Sequence, residues 1–466
     1  MRSLLLALAL VVSGCSLTPT LTLPDAPVPG AYPKTPAESA FPPAADIGWQ
    51  TMFPDPRLQR LIALALENNR DLRVATLNVE AVHAQYRIQR AAGLPAIAAT
   101  AGATRQRSAA EGRGRDGASA APGVADQFIT NVGLSAFEVD LFGRARSLSQ
   151  GAFARYLASE EGRTTAHIAL IGALADAYLA ERLALAQREL AERTLSDWEQ
   201  SLAVARLLQQ GQQNSAVDVA QAEGQVATAE ADMQARTRAL AKAQNALRLL
   251  VGADLPDDLP EGLPLDQQPV LTTLPAGLPS DLLIRRPDIR QAEQNLIAAN
   301  ADIGVARAAF FPRLSLTATL GFASPTLGAL FTGQHRLWSF SPQITQPLFE
   351  AGRLRAELRL GEVRTSTAVA EYERAIQTAF REVADGLAGQ QTYGRQIEAQ
   401  ARVVASARRR AELSELRYRA GLEGRLELLD AQRQHYAAQQ ALLDVRRDAF
   451  GSAVALYRAL GGGVVP

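Results

Sequence analysis

The sequence predicts a mainly α-helical chain that also carries membrane-type β-strands, built as a two-fold internal repeat of helix, strand, strand, long helix and helix. Three observations predict it. The chain matches itself at a constant offset, short segments alternate strictly between apolar and polar residues, and two very long stretches contain no proline.

The repeat is clearest between residues 71–101 and 288–318, which align without a gap. Asp71, Arg73, Ala75, Asn78, Ala81 and Ala84 match Asp288, Arg290, Ala292, Asn295, Ala298 and Ala301. Arg90-Ala91-Ala92 matches Arg307-Ala308-Ala309, and Pro95, Thr100 and Ala101 match Pro312, Thr317 and Ala318. Alanine matches alone carry little weight in an Ala-rich chain, but the Asp, Asn, Arg and Pro matches do. Further on, Leu141-Phe142-Gly143-Arg144 resembles Leu348-Phe349 followed by Gly352-Arg353, and Gly211 aligns with Gly421. Two halves of similar plan follow, 57–251 and 288–460.

The chain opens with Met1-Arg2, an apolar run from Leu4 to Val12, and Ser13-Gly14 directly before Cys15. The run is well short of the ~20 residues of a membrane-spanning helix, so 1–14 reads as a signal peptide. Val12-Ser13-Gly14-Cys15 resembles a bacterial lipobox, which makes Cys15 an acylated (palmitate-bearing) mature N-terminus. The alternative is an ordinary signal in which the cysteine is incidental. Ser16 in the following position resembles sorting to the outer membrane. Residues 15–56 are rich in proline and read as an extended tether.

In the first half, a helix is expected over about 57–92, then strands over about 96–106 and 128–139, giving a hairpin at 96–139. The Gly- and charge-rich loop from Ser108 to Asp126 reads as a solvated surface loop, because no helix follows it as a phosphate-cradling loop requires. In the second half, Leu314, Leu316, Ala318, Leu320 and Phe322 share one face, and Ser315, Thr317, Thr319 and Gly321 the other. The partner strand, about 336–346, places Trp338, Phe340 and Ile344 on one side, so the second hairpin spans 313–347. Helices are expected over about 145–210 and 351–420; ~66 residues of helix span ~100 Å. Their partners, 213–251 and 423–460, turn back at Gly211 and Gly421. Residues 252–287 form a proline-rich, irregular connector, and 461–466 a C-terminal tail.

Composition excludes several classes. Lys+Arg and Asp+Glu are both 48 in 466 residues, which is not the footprint of a nucleic-acid binder. The single cysteine allows no internal disulfide. His83, His167, His335 and His435 are scattered without metal-ligand spacing, so no metal site or other cofactor is expected beyond the lipid on Cys15. No catalytic constellation is evident, and no enzyme activity is expected. Arg408-Arg409-Arg410 reads as a solvated helix face.

Four strands of ~10 residues match tilted membrane-spanning strands, and their alternation suits a lipid-facing barrel. Four strands cannot close, and an open edge in lipid leaves backbone groups unpaired, so other copies must complete the barrel. Two copies would give eight strands and three would give twelve.

Four segments carry a family resemblance: Glu138-Val139-Asp140-Leu141-Phe142-Gly143-Arg144, Arg285-Arg286-Pro287-Asp288-Ile289, Ala306-Arg307-Ala308-Ala309-Phe310-Phe311-Pro312, and Leu428-Leu429-Asp430-Ala431-Gln432-Arg433. With them the chain resembles outer-membrane efflux channels of the TolC type, most closely their lipoprotein branch of OprM- and NodT-like proteins. The resemblance implies a homotrimer in the outer membrane, with a trimeric 12-stranded β-barrel continued by a long α-helical barrel through the periplasm. It also implies two partners, a periplasmic adaptor protein and an inner-membrane transporter, and small-molecule (including multidrug) efflux. A protein-secretion channel and a non-conducting trimeric envelope-spanning protein are the alternatives.

Carried over by the last motif, the periplasmic gate is Leu426, Glu427, Asp430 and Arg433, at i,i+3 and i,i+4 spacings that one helix face can present. Arg433 is expected to pair with Asp430, either within a subunit or with that of a neighbour, and so to hold the mouth shut. The adaptor-contacting tips are Gln210, Gly211 and Gln212, and Ala420, Gly421 and Leu422. The stretch Gly421-Leu422-Glu423-Gly424-Arg425 departs from the family pattern, with Glu423 where Asp is frequent and Arg425 where an aromatic is common. Gly424 is expected to loosen the helix start.

Overall fold

The computed structural model describes residues 16–32, 46–107, 124–275 and 279–463. The export signal, Cys15, and residues 108–123 of the Gly-rich loop lie outside the described residues.

In chain order the helices are α1 (Trp49–Met52), α2 (Pro56–Asn68), α3 (Arg70–Ala91), α4 (Arg144–Gln210), α5 (Ala216–Val251), α6 (Pro279–Arg285), α7 (Pro287–Ala308), α8 (Arg353–Arg419) and α9 (Arg425–Ala459). The strands are β1 (Ile97–Arg107), β2 (Val124–Val139), β3 (Arg313–Ser324) and β4 (Arg336–Thr345). α4 and α8 are each 67 residues long. Each begins just after a glycine with positive φ, Gly143 at 74° and Gly352 at 88°. No described helix is long and apolar enough to cross a membrane.

The single helix expected over 57–92 is two. Asn69 leaves the helical region, with φ −61° and ψ 130°. Its side-chain oxygen accepts from Leu72 N at 2.9 Å, which caps α3, and its Nδ2 donates to Leu250 O at 2.8 Å. The connector 252–287 is not wholly irregular. It contains α6 and a 3-10 turn at Leu265–Gln267. Buried Leu265, Val270, Leu274 and Leu282 hold it down.

The chain divides into two compact units that do not coincide with the sequence repeats. One comprises residues up to Pro24, Glu80–Ala158 and Ala292–Glu371; the other comprises Asp25–Val79, Ser159–Gln291 and Tyr372–Pro466. Each unit takes material from both repeats, because the hairpins pair with each other and the helices pack with each other.

The first unit holds a four-stranded antiparallel sheet in the order β1-β2-β3-β4. Paired residues put Ile97, Ala99, Val132, Leu134, Leu316, Ala318, Leu320, Trp338, Phe340 and Ile344 on one face. The opposite face carries Thr100, Asn131, Ser315, Thr317, Thr319, Ser339, Ser341 and Gln343. A bulge between Leu134 and Phe137, with Ala136 at φ 50°, keeps the apolar residues in phase past it. The start of the segment read as an extended tether is docked in this unit. Thr18 Oγ1 bonds Ser147 Oγ at 3.0 Å and Asn300 Nδ2 donates to Pro19 O at 2.8 Å.

The second unit has a core of Met52, Phe53, Leu58, Leu61, Ile62, Tyr178 and Leu265, all fully buried. Asp55, 1% exposed, lies at its centre. It caps α2 through Arg57 N at 2.8 Å and accepts from Tyr178 Oη at 2.7 Å, Gln268 Nε2 at 2.9 Å and Leu263 N at 3.2 Å. One carboxylate thus ties α2, α4 and the connector together.

Candidate gate at the second helical tip

Both long helices end in the same turn. After α4, Gln213 N donates to Leu208 O and Gln212 N to Gln209 O. After α8, Leu422 N donates to Arg417 O and Gly421 N to Tyr418 O. These are Schellman caps, whose next-to-last residue takes positive φ. That residue is Gln212 (56°) in the first tip and Gly421 (71°) in the second. The structural partner of Gly421 is therefore Gln212, and the alignment of Gly211 with Gly421 is out by one residue. The tip residues Gln210, Gly211, Gln212, Ala420, Gly421 and Leu422 are all exposed.

α9 begins at Arg425 behind the N-cap Gly424, which offers no side-chain cap. Arg425 is buried and reaches Ser201 Oγ at 3.3 Å, so it fills the place of an apolar side chain with a hydrogen-bonded one. Leu428 and Leu429 are buried, whereas Leu426 (61% exposed) and Glu427 face outward. Asp430 is half-buried and Arg433 exposed. The four residues read as a gate thus come from the accessible side of one helix.

Within one chain, the expected Asp430–Arg433 pair is the weaker of two. Arg433 comes only to 3.9 Å, while Arg410 on α8 reaches Asp430 at 3.0 Å. Gln434 Nε2 also donates to Asp430 at 3.0 Å, and Arg410 donates to Gln434 Oε1 at 2.5 Å. Distance explains the preference, since coulombic attraction and hydrogen bonding both fall off with separation. Arg410 is therefore not simply part of a solvated arginine run, although Arg408 and Arg409 do pair locally with Glu412. The sequence did hold a signal for it. In an antiparallel pair turning at Gly421, residues 410 and 430–434 are nearly equidistant from the turn.

Arg433 instead lines a cavity of about 250 Å³ with Trp198, Asp232, Tyr436 and small residues of α4 and α5. Tyr436 donates to Asp232, which Arg236 also holds at 3.2 Å. Arg236 continues to Gln187 at 2.8 Å, and Gln187 to Asp444 at 2.8 Å. Burial, reinforced by the bond to Asp232, pushes the Tyr436 phenol up to about 12. Among the described residues, no three His, Cys, Asp or Glu side chains group as a metal site would require.

The model of the outer membrane efflux protein family matches residues 61–253 and 278–462. The chain belongs to that family. It is 46% identical over 459 residues to the toluene efflux pump outer membrane protein TtgC of Pseudomonas putida, covering 98% of this chain and 94% of TtgC. It is 41% identical over 461 residues to the outer membrane protein OprJ of Pseudomonas aeruginosa, covering 98% of this chain and 95% of OprJ. The open-state MtrE outer membrane channel of Neisseria gonorrhoeae superimposes with a TM-score of 0.87 at 38% identity, covering 97% of this chain and 99% of MtrE. As a member, the chain is an outer-membrane efflux channel protein, and the mixed strand and long-helix architecture is the channel fold of its relatives.

Proposed function

We propose that three copies of this chain form a closed conduit that passes small organic molecules outward, engaged at its helical tips by a periplasmic adaptor and an inner-membrane transporter. The observation that carries the reading is the open-edged sheet, apolar on one face and polar on the other. Trp338 (75%), Phe340 (61%) and Ile344 (71%) are exposed on the apolar face. That pattern is stable only with lipid on one side and water on the other, and only with both edges paired. Names such as toluene efflux pump among the relatives support small organic cargo over protein cargo. Acylation of Cys15 would add a lipid anchor beside the barrel.

The gate is the Arg410–Asp430–Gln434 cluster with Arg433 alongside it. Three-fold repetition would make Asp430 and Glu427 acidic rings and Leu426 an apolar ring, which favour cations and close a pore by dewetting. The test is single-channel conductance in planar bilayers, comparing wild type with Asp430→Ala and Arg410→Ala. A several-fold rise in both variants is expected. Conductance unchanged in both would move the gate elsewhere, and no conductance from protein shown to be inserted would overturn the conduit.

A further inference from the structure

The two hairpins meet inside one chain along β2 and β3, and the internal repeat makes that seam a template for the one left open. β1 and β3 are repeat equivalents, as are β2 and β4, so the free edge of β4 relates to the free edge of a neighbour's β1 as β2 relates to β3. Beside the closed seam, Phe142 stacks on Phe311, with ring centroids 4.7 Å apart. The equivalent residues at the open seam are Phe349 and Leu94. They are 88% and 64% exposed, and Leu348 next to Phe349 is 93% exposed. Apolar side chains left this open beside an unpaired strand edge mark a surface that another copy covers.

The template allows two registers, because the stretch from Leu134 to Leu141 is three residues longer than its equivalent from Ile344 to Leu348, and the bulge in β2 takes up only one of them. Below the bulge Phe137 faces Leu316, and above it Leu134 faces Ala318. Counted back from Leu348-Phe349, Ile344 stands for Phe137 and would face Ala99. Counted from the hairpin pairs Ile97–Leu134 and Leu314–Ile344, it stands for Leu134 and would face Ala101.

Barrel geometry separates them. Crossing the sheet along paired residues leads from Ile97 to Leu134, Ala318 and Phe340. In the first register Phe340 meets Ala103 of the next copy. Three copies then accumulate a stagger of ~18 residues, which over twelve strands is a tilt of ~46°. In the second it meets Arg105, for a stagger of ~24 residues and a tilt of ~54°. Membrane barrels tilt their strands by about 35–45°, so the first register fits. It also sets the bulky Phe340 and Ile344 against the small Ala103 and Ala99 on the apolar face.

We propose that β4 of one copy pairs antiparallel with β1 of the next with Ile344 opposite Ala99 and Phe340 opposite Ala103, and that Phe349 closes over the neighbour's Leu94. This rests on the three-copy reading above. The test is oxidative cross-linking by copper–phenanthroline in outer membranes of Ala99→Cys/Ile344→Cys, with Ala101→Cys/Ile344→Cys and the single variants as controls. Opposed residues on a sheet have Cβ atoms close enough for a disulfide, so the first pair should yield covalent dimers and trimers ~10-fold above the second. Stronger linkage of the second pair would overturn the register. No linkage in either pair, from protein whose native mass is that of a trimer, would overturn the seam and leave the trimer standing. A monomeric native mass would overturn the three-copy reading, and the seam with it.

Discussion

Asn69 in the first repeat and Arg286 in the second interrupt their helices at the same place, and they do so with different chemistry. Each is buried, at 5% and 7% exposure. Each donates to a carbonyl near the end of its own repeat's last helix, Asn69 to Leu250 O at 2.8 Å and Arg286 to Ala459 O at 2.9 Å. The amide does this as a neutral group. The guanidinium brings a charge into the same setting, and Asp288 at 2.5 Å and Glu382 at 2.8 Å answer it. Burial opposes that charge, but the hydrogen bonds Arg286 donates to Asp288 and Glu382, with the charges of the two carboxylates, outweigh it and hold the Arg286 pKa above the ordinary arginine value. Pro287 then opens α7 without an N–H to satisfy, and Asp288 Oδ1 accepts from Ile289 N at 3.0 Å, the N–H equivalent to the Leu72 N that Asn69 caps. Gly252, at φ 74°, packs so closely on Asn68 and Asn69 that a Cβ would meet Asn68 O at 2.6 Å. Its partner Gly461 has more room against Arg285 O, at 3.5 Å. The lesson is that a repeat conserves the shape of a junction more strictly than the bonds that make it.

Substitutions at the paired positions sharpen that contrast. Arg286→Ala leaves two carboxylates without their cation and is expected to cost about 3 kcal/mol. Asn69→Ala loses one cap and one tertiary hydrogen bond, about 1–2 kcal/mol. Thermal unfolding followed by helical circular dichroism should show the larger drop for Arg286→Ala; equal drops would mean that the charge adds nothing.

The two tips offer a second pair. Ser215 and Asp218 form a reciprocal capping box at the start of α5, whereas Gly424 caps α9 with no side chain. Ser215→Ala should therefore cost about 1 kcal/mol. Gly424→Ser should gain about 0.5–1 kcal/mol by building the same box with Glu427. The new Cβ meets only the mobile Glu427 carboxylate, at 2.8 Å. Amide hydrogen exchange in the first turn of α9 should slow in Gly424→Ser, and unchanged exchange would show that Glu427 does not swing onto the cap. The smallest effect is expected at the turn itself. Gln212→Gly relieves a positive-φ residue and should slow exchange at the first tip by about 0.5 kcal/mol, whereas Gly421→Gln should speed it at the second.

The sequence by itself determined the repeat, the element order, and the ends of α4, α5, α8 and α9 to within about three residues. These follow from local signals: period-two alternation in 314–322, the absence of proline in the long helices, and glycines at the turns. It also placed Leu426, Glu427, Asp430 and Arg433 on the accessible side of one helix, because 3.6-residue periodicity is enough to do that. Tertiary structure decided what those residues touch. That Asp430 takes Arg410 rather than Arg433, that Asn69 breaks a helix legible as continuous, and that both hairpins share one sheet all depend on groups distant in the chain. Such choices are settled by distance and burial between packed elements, which local periodicity does not encode.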